Sequence, residues 1–212
     1  MNLESHAFSD FFAISNQSLW ESYDHPFSLP EYARQLGKLA FLHPKALILR
    51  EKNLSNAQYE TLFRMVYNEL HASHTPLYLH AHYELLEDLP ADGLHLPLET
   101  FLYLAENRAD FLESCHKKDL PVGTSIHSIT DAKRVETLGA DYCFAGTIWE
   151  SQCKPGKAAA GLSFLSEVCE TVKIPVYAIG GVTPQKHDAI LSAGAAGGCM
   201  MSGFLQKLYE KP

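Results

Sequence analysis

Residues 176–203 read VYAIGGVTPQKHDAILSAGAAGGCMMSG. The stretch opens on a short apolar run, Val176–Ile179, which is how a strand buried on both faces reads. Gly180-Gly181 ends that run, and Thr183-Pro184 supplies a helix start. A helix is expected over 183–193, with Gly194 just past its end. A second run, Gly198–Met201, follows and closes on the small residues Ser202 and Gly203. Strand, turn, helix and strand in this order imply parallel strands with right-handed crossovers.

The same alternation extends back through the 212 residues. Phe11–Ser15, Ala46–Arg50, Leu77–His80, Gly93–Leu96, Val122–Ile126 and Tyr142–Ala145 complete eight strand candidates. Helices are expected near 30–42, 55–72, 83–89, 101–118, 129–139 and 162–172. Ser55 and Thr130-Asp131 mark two of the starts, and Gly139 marks a stop. Eight strands leave roughly 26 residues per unit, enough for a closed barrel. An open doubly wound sheet is the rival. The count of eight and the placement of polar residues at strand ends favour a single (β/α)8 TIM barrel, one domain over 1–212.

Length and composition agree with one soluble core. Met1–Asp10 carries two acidic residues and no apolar stretch, so no signal peptide is expected. No apolar run approaches the roughly 20 residues that span a bilayer. Five cysteines, at 115, 143, 153, 169 and 199, are odd in number and unpatterned, which suits a reducing cytoplasm. A net charge of −8 argues against nucleic acid and anionic membranes as partners. It leaves room for a small anion held where a few cations meet.

Ligands of parallel α/β folds bind at the C-terminal ends of strands. Arg50-Glu51-Lys52 closes the second strand, and the period of two puts Arg50 and Lys52 on one face with Glu51 turned away. Two adjacent cations suit an anion between them; a solvated strand end is the plainer alternative. Gly180-Gly181, ahead of a helix start, lets backbone N–H groups approach an anion. Met201-Ser202 adds a small turn with a hydroxyl after the eighth strand. Loops after strands seven and eight form the recurrent phosphate site of such barrels.

Ser125 and His127 share a face at the end of the fifth strand, where an imidazole can carry a proton in either direction. The segment 150–156 has the length and glycine of a loop that folds over a ligand, with Lys154 as its anchor. Cys153 has no base at a pairing distance in sequence and is read as a contact residue. His80 and His82 are candidates for a shared metal, yet no carboxylate accompanies them. No metal is therefore expected, and His71, His74, His95 and His116 receive no role.

Taken together, these segments resemble the thiamine phosphate synthase and TenI superfamily. The match runs through Arg50-Glu51-Lys52, Ala91-Asp92-Gly93-Leu94-His95-Leu96, Gly123-x-Ser125-x-His127-Ser128, Gly139-Ala140-Asp141-Tyr142, Lys154 and Ala178–Pro184. The resemblance implies that Gly180, Gly181, Met201 and Ser202 hold the phosphate of a thiazole phosphate. It likewise implies that Arg50, Lys52, Ser125 and Lys154 bind substrate, and that the chain forms a homo-oligomer. Three positions depart from the synthases: His80-Ala81 replaces an Asn-Asp pair, Thr100 a magnesium aspartate and Ile48 a glutamine facing the pyrimidine. The resemblance therefore points first to a metal-independent thiazole tautomerase, without cofactor and with His127 as acid and base. A thiamine phosphate synthase is the alternative, with Mg²⁺ held by displaced ligands such as His80 or Glu99. A non-catalytic binder of thiazole or thiamine phosphates is the third.

Overall fold

The computed structural model describes residues 8–21, 28–150 and 158–204. Eight parallel strands follow chain order in one closed barrel sheet. They are β1 Phe11–Ile14, β2 Ala46–Leu49, β3 Leu77–His80, β4 Gly93–Leu96, β5 Val122–Ile126, β6 Tyr142–Gly146, β7 Val176–Ile179 and β8 Gly197–Met200. The fold class is the (β/α)8 barrel that the apolar runs imply. The helices are α1 Gln17–Glu21, α2 Leu29–Lys38, α3 Asn56–Leu70, α4 Leu98–Asn107, α5 Ala109–Lys117, α6 Ile129–Thr137, α7 Gly161–Thr171 and α8 His187–Ser192. None is long and apolar enough to cross a membrane.

The chain divides into two compact units, Met1–Asp92 with Met201–Pro212, and Gly93–Met200. In the first, β1 pairs with β2 at Ala13↔Leu47, and β2 with β3 at Ile48↔Tyr78. Every residue of β1 and β2 is buried, which is why these strands read as unbroken apolar runs. Tyr59, Leu62, Phe63 and Val66 of α3 are buried on one helical face. Each fully buried aliphatic or aromatic side chain contributes about 1.5–3 kcal/mol. Ser55 and Gln58 close a capping box at the start of α3, as the Ser55 signal implies.

In the second unit the register runs Leu94↔Val122, Ser125↔Phe144, Ala145↔Ala178 and Ala178↔Gly198. Asp141 accepts a hydrogen bond from Val122 N, 2.7 Å away, tying the start of β6 to the start of β5. Asp92 does the same in the first unit for Leu77 N at 2.8 Å.

Several expected helices are corrected. Residues 83–89 form only a 3-10 turn, Tyr83–Leu85, because Leu86 and Leu89 are buried directly from the loop. The single helix expected over 101–118 is two, broken at Arg108 (φ −140°, ψ 50°). That non-helical residue resets the rotation, so α4 buries Phe101 and Leu104 while α5 buries Leu112 and Cys115. The cap of α6 is Ser128, whose Oγ accepts from Asp131 N, rather than Thr130. The helix expected over 30–42 tightens into a 3-10 turn after Lys38, and that over 183–193 begins as one at Pro184–Lys186. Helix α1 is an addition, capped by Asn16, whose Oδ1 accepts from Leu19 N at 3.1 Å.

Candidate active site

Strand β2 ends at Leu49, so Arg50, Glu51 and Lys52 lie just beyond it. Tyr59 of α3 fixes that end: its hydroxyl donates to Leu49 O at 2.7 Å and accepts from His80 N at 3.1 Å. Glu51 turns inward and is buried. Its Oε1 accepts from Ser15 Oγ at 2.5 Å and Tyr32 OH at 2.6 Å, and its Oε2 from Gln17 N at 2.8 Å. Burial raises its pKa, while these donors and the Arg50 charge pull the other way. The Ser15 hydroxyl also accepts from Arg50 N at 2.8 Å, so the same cluster pins the backbone that carries Arg50.

Half-buried Arg50 and exposed Lys52 both act on His80 at the end of β3. Burial first, and then these two cations, push the His80 imidazole down from 6.5 to about 3. His80 is thus neutral at physiological pH and faces a positive field. His82 follows after a turn through Ala81 at φ 66°, its N–H donating to His80 O at 2.8 Å and its ring 4.0 Å from the Tyr59 ring.

In the second unit, His127 follows β5. Its Nδ1 is 2.5 Å from Gly146 O, a group that can only accept, so Nδ1 carries the proton and Nε2 is the basic nitrogen. Its backbone N–H donates to Asp131 Oδ2 at 3.2 Å. Ser125 is partly buried, and its Oγ lies 3.0 Å from His95 Nε2. His95, which received no role from the sequence, is 3% exposed and stacked on Phe144 with ring centroids 4.1 Å apart. A single histidine within an apolar run gives no sign of such partners.

Gly180 and Gly181 take φ 94° and 62°, the left-handed region that favours glycine. A Cβ on Gly180 would collide with Thr147, and one on Gly181 would sit 2.5 Å from Glu150 O. The Gly181 carbonyl accepts from Lys186 Nζ, whose ammonium also lies 4.4 Å from the Trp149 ring centroid. Burial lowers the Lys186 pKa. Trp149 and Lys186 are further residues at this turn, and no sequence motif marks them. In the first unit, Met201 Sδ accepts from Asn16 Nδ2 at 2.9 Å, and Ser202 begins a helical segment. Lys154 and Cys153 lie outside the described residues. Burial raises the thiols of Cys143 to about 12 and Cys169 to about 11, and also raises Cys199, so these cysteines are poor nucleophiles.

Magnesium, which the synthase alternative implies, requires oxygen donors. Among the described residues no three His, Cys, Asp or Glu side chains come together to hold a metal ion. Glu51, beside the cation pair, has both oxygens committed to Ser15, Tyr32 and Gln17. Glu51 therefore offers no uncommitted oxygen to a cation at this strand end.

A family model described as thiamine monophosphate synthase matches residues 28–204. A thiamine-phosphate synthase of Caldivirga maquilingensis is 40% identical over 115 residues, covering 54% of this chain and 53% of the relative. One from Syntrophomonas wolfei is 30% identical over 158 residues, covering 74% and 73%. Among solved structures, the thiamine phosphate pyrophosphorylase of Pyrococcus furiosus superposes with a TM-score of 0.69 at 21% identity, covering 98% of this chain and 97% of that one.

Proposed function

Starting from the thiamine monophosphate synthase family, to which this chain belongs, we propose that the protein is an enzyme of thiamine biosynthesis that acts on a thiazole phosphate. The relatives' names favour the transferase, thiamine phosphate synthase, over the tautomerase that the sequence departures put first. The transferase joins hydroxymethylpyrimidine pyrophosphate to thiazole phosphate and releases pyrophosphate. The observation that carries this reading is the β2 end, where Glu51 is withdrawn into its own hydrogen bonds while Arg50 and Lys52 bear on a neutral His80. Two cations at one strand end suit a polyanionic leaving group. In this reading Arg50, Lys52 and Lys154 take the pyrophosphate, Ser125 contacts substrate, and Gly180, Gly181, Met201 and Ser202 hold the thiazole phosphate. No step is assigned to a metal.

The tautomerase is the second reading, and the fixed His127 tautomer favours it. With Nδ1–H tied to Gly146 O, Nε2 can take a proton from the ring carbon bearing the carboxylate of carboxythiazole phosphate. The resulting imidazolium returns a proton to the exocyclic carbon. Arg50 offsets the charge that develops, and no cofactor takes part. In both readings the partner is a small phosphorylated thiazole rather than nucleic acid or a membrane, in a cytoplasmic homo-oligomer.

The protein is incubated with thiazole phosphate and pyrimidine pyrophosphate, with and without Mg²⁺, and separately with the exocyclic-alkene form of carboxythiazole phosphate. Release of pyrophosphate together with thiamine phosphate supports the transferase. Loss of the alkene without pyrophosphate chemistry supports the tautomerase. Tight binding with neither product overturns both in favour of a non-catalytic binder.

A further inference from the structure

Strand register brings His95 opposite Gly123, and Gly123 opposite Tyr142. A Cβ at residue 123 would collide with the Tyr142 ring, 2.2 Å from its Cζ, so glycine there lets that ring cross β5 toward β4. The Tyr142 hydroxyl then lies 3.3 Å from both Leu94 O and His95 Nδ1. On the opposite side of the imidazole, Nε2 is 3.0 Å from Ser125 Oγ. The Phe144 ring, tilted only 22° from the imidazole, fixes the plane of His95. Both ring nitrogens are therefore used, and the buried ring is clamped between Tyr142 and Ser125.

The phenol has one proton for two acceptors at equal distance. Donated to Leu94 O, it leaves His95 with Nδ1–H, and Nε2 then accepts the Ser125 proton. Donated to Nδ1, it leaves Nε2–H donating to Ser125 Oγ, and the serine proton is released toward a ligand. An anionic ligand selects the second form.

We propose that His95 is a positioning residue that holds the Ser125 hydroxyl as a donor to the anionic substrate, with Tyr142 and Phe144 setting the ring. This rests on the assignment of Ser125 as a substrate contact. No covalent step is involved.

The test uses the whole protein and thiazole phosphate as the probe, with affinity measured by calorimetry and the His95 ring nitrogens followed by ¹⁵N NMR. Ser125→Ala should weaken binding about 3- to 10-fold, the worth of one hydrogen bond. His95→Asn reaches only to the Nδ1 position and should weaken it to the same degree. His95→Gln carries an amide to the Nε2 position and should recover most of the loss. The double variant Ser125→Ala/His95→Asn should be no weaker than Ser125→Ala alone. In the wild type, thiazole phosphate should shift the His95 nitrogens toward the Nε2–H form. Unchanged affinity in Ser125→Ala removes the substrate contact on which the proposal rests. A full effect in Ser125→Ala with an additive His95→Asn effect overturns the positioning role alone. Should His95→Asn fail to fold, absence of an Nε2 shift between wild type and Ser125→Ala overturns it equally.

Discussion

Acidification from pH 7 to pH 5 should destabilise the native protein through His80. In an unfolded chain its imidazole takes up a proton near pH 6.5. In the native state, burial and then the Arg50 and Lys52 charges hold it neutral until about pH 3. The folded protein therefore binds fewer protons than the unfolded one across this window. The stability contribution is complete above about pH 6.5 and is lost as pH falls toward the native value. One pKa unit corresponds to about 1.4 kcal/mol, so this site costs about 2 kcal/mol between pH 7 and pH 5. Glu51 has the opposite sign: its pKa is raised, so its contribution is present at low pH and lost as pH rises through that value. A single pH profile mixes the two, and His80→Asn separates them, because Tyr59 holds the backbone N–H of His80 and not its ring. Urea unfolding of both proteins at the two pH values should show wild type losing about 1–2 kcal/mol more than the variant. Equal losses would refute the claim that His80 is held neutral in a cationic field. Inorganic pyrophosphate bound at Arg50 and Lys52 should raise the His80 pKa, visible in its NMR titration.

Tyr32→Phe keeps the ring but deletes one of the three donors to the Glu51 carboxylate. It should cost about 1.5–3 kcal/mol at pH 7 and less once Glu51 is protonated, as read by urea unfolding at pH 7 and pH 4.5; a cost independent of pH would contradict a charged Glu51. Gly123→Ala drives a methyl group against the Tyr142 ring and should lower stability by about 1–3 kcal/mol, an unchanged melting temperature being the adverse result. His127→Ala should cut proton-shift turnover by about 10²–10⁴-fold while leaving thiazole phosphate affinity nearly intact. Unchanged turnover would remove His127 from the tautomerase mechanism.

The eight strands were legible as short, mostly apolar runs between polar helices, clearest in β1 and β2, where every residue is buried. Strand β8 slips by one residue, to Gly197–Met200, because glycines 197 and 198 carry no side-chain pattern to fix its start. The break at Arg108 was hidden, since Asn107-Arg108-Ala109 holds neither glycine nor proline and only tertiary burial of α5 demands it. In the site, period two gave the direction of Glu51 but not its partners, which come from residues 15, 17 and 32. The Tyr142–His95–Ser125 chain arises from pairing among three strands, which no local spacing encodes.

The shared core of both functional readings is recognition of a phosphorylated thiazole. Calorimetry should compare hydroxyethylthiazole phosphate with the unphosphorylated alcohol on the same protein. Charge-assisted hydrogen bonds to the phosphate predict binding of the ester at least about 100-fold tighter. Equal affinity for ester and alcohol, or no affinity for either, would contradict the account.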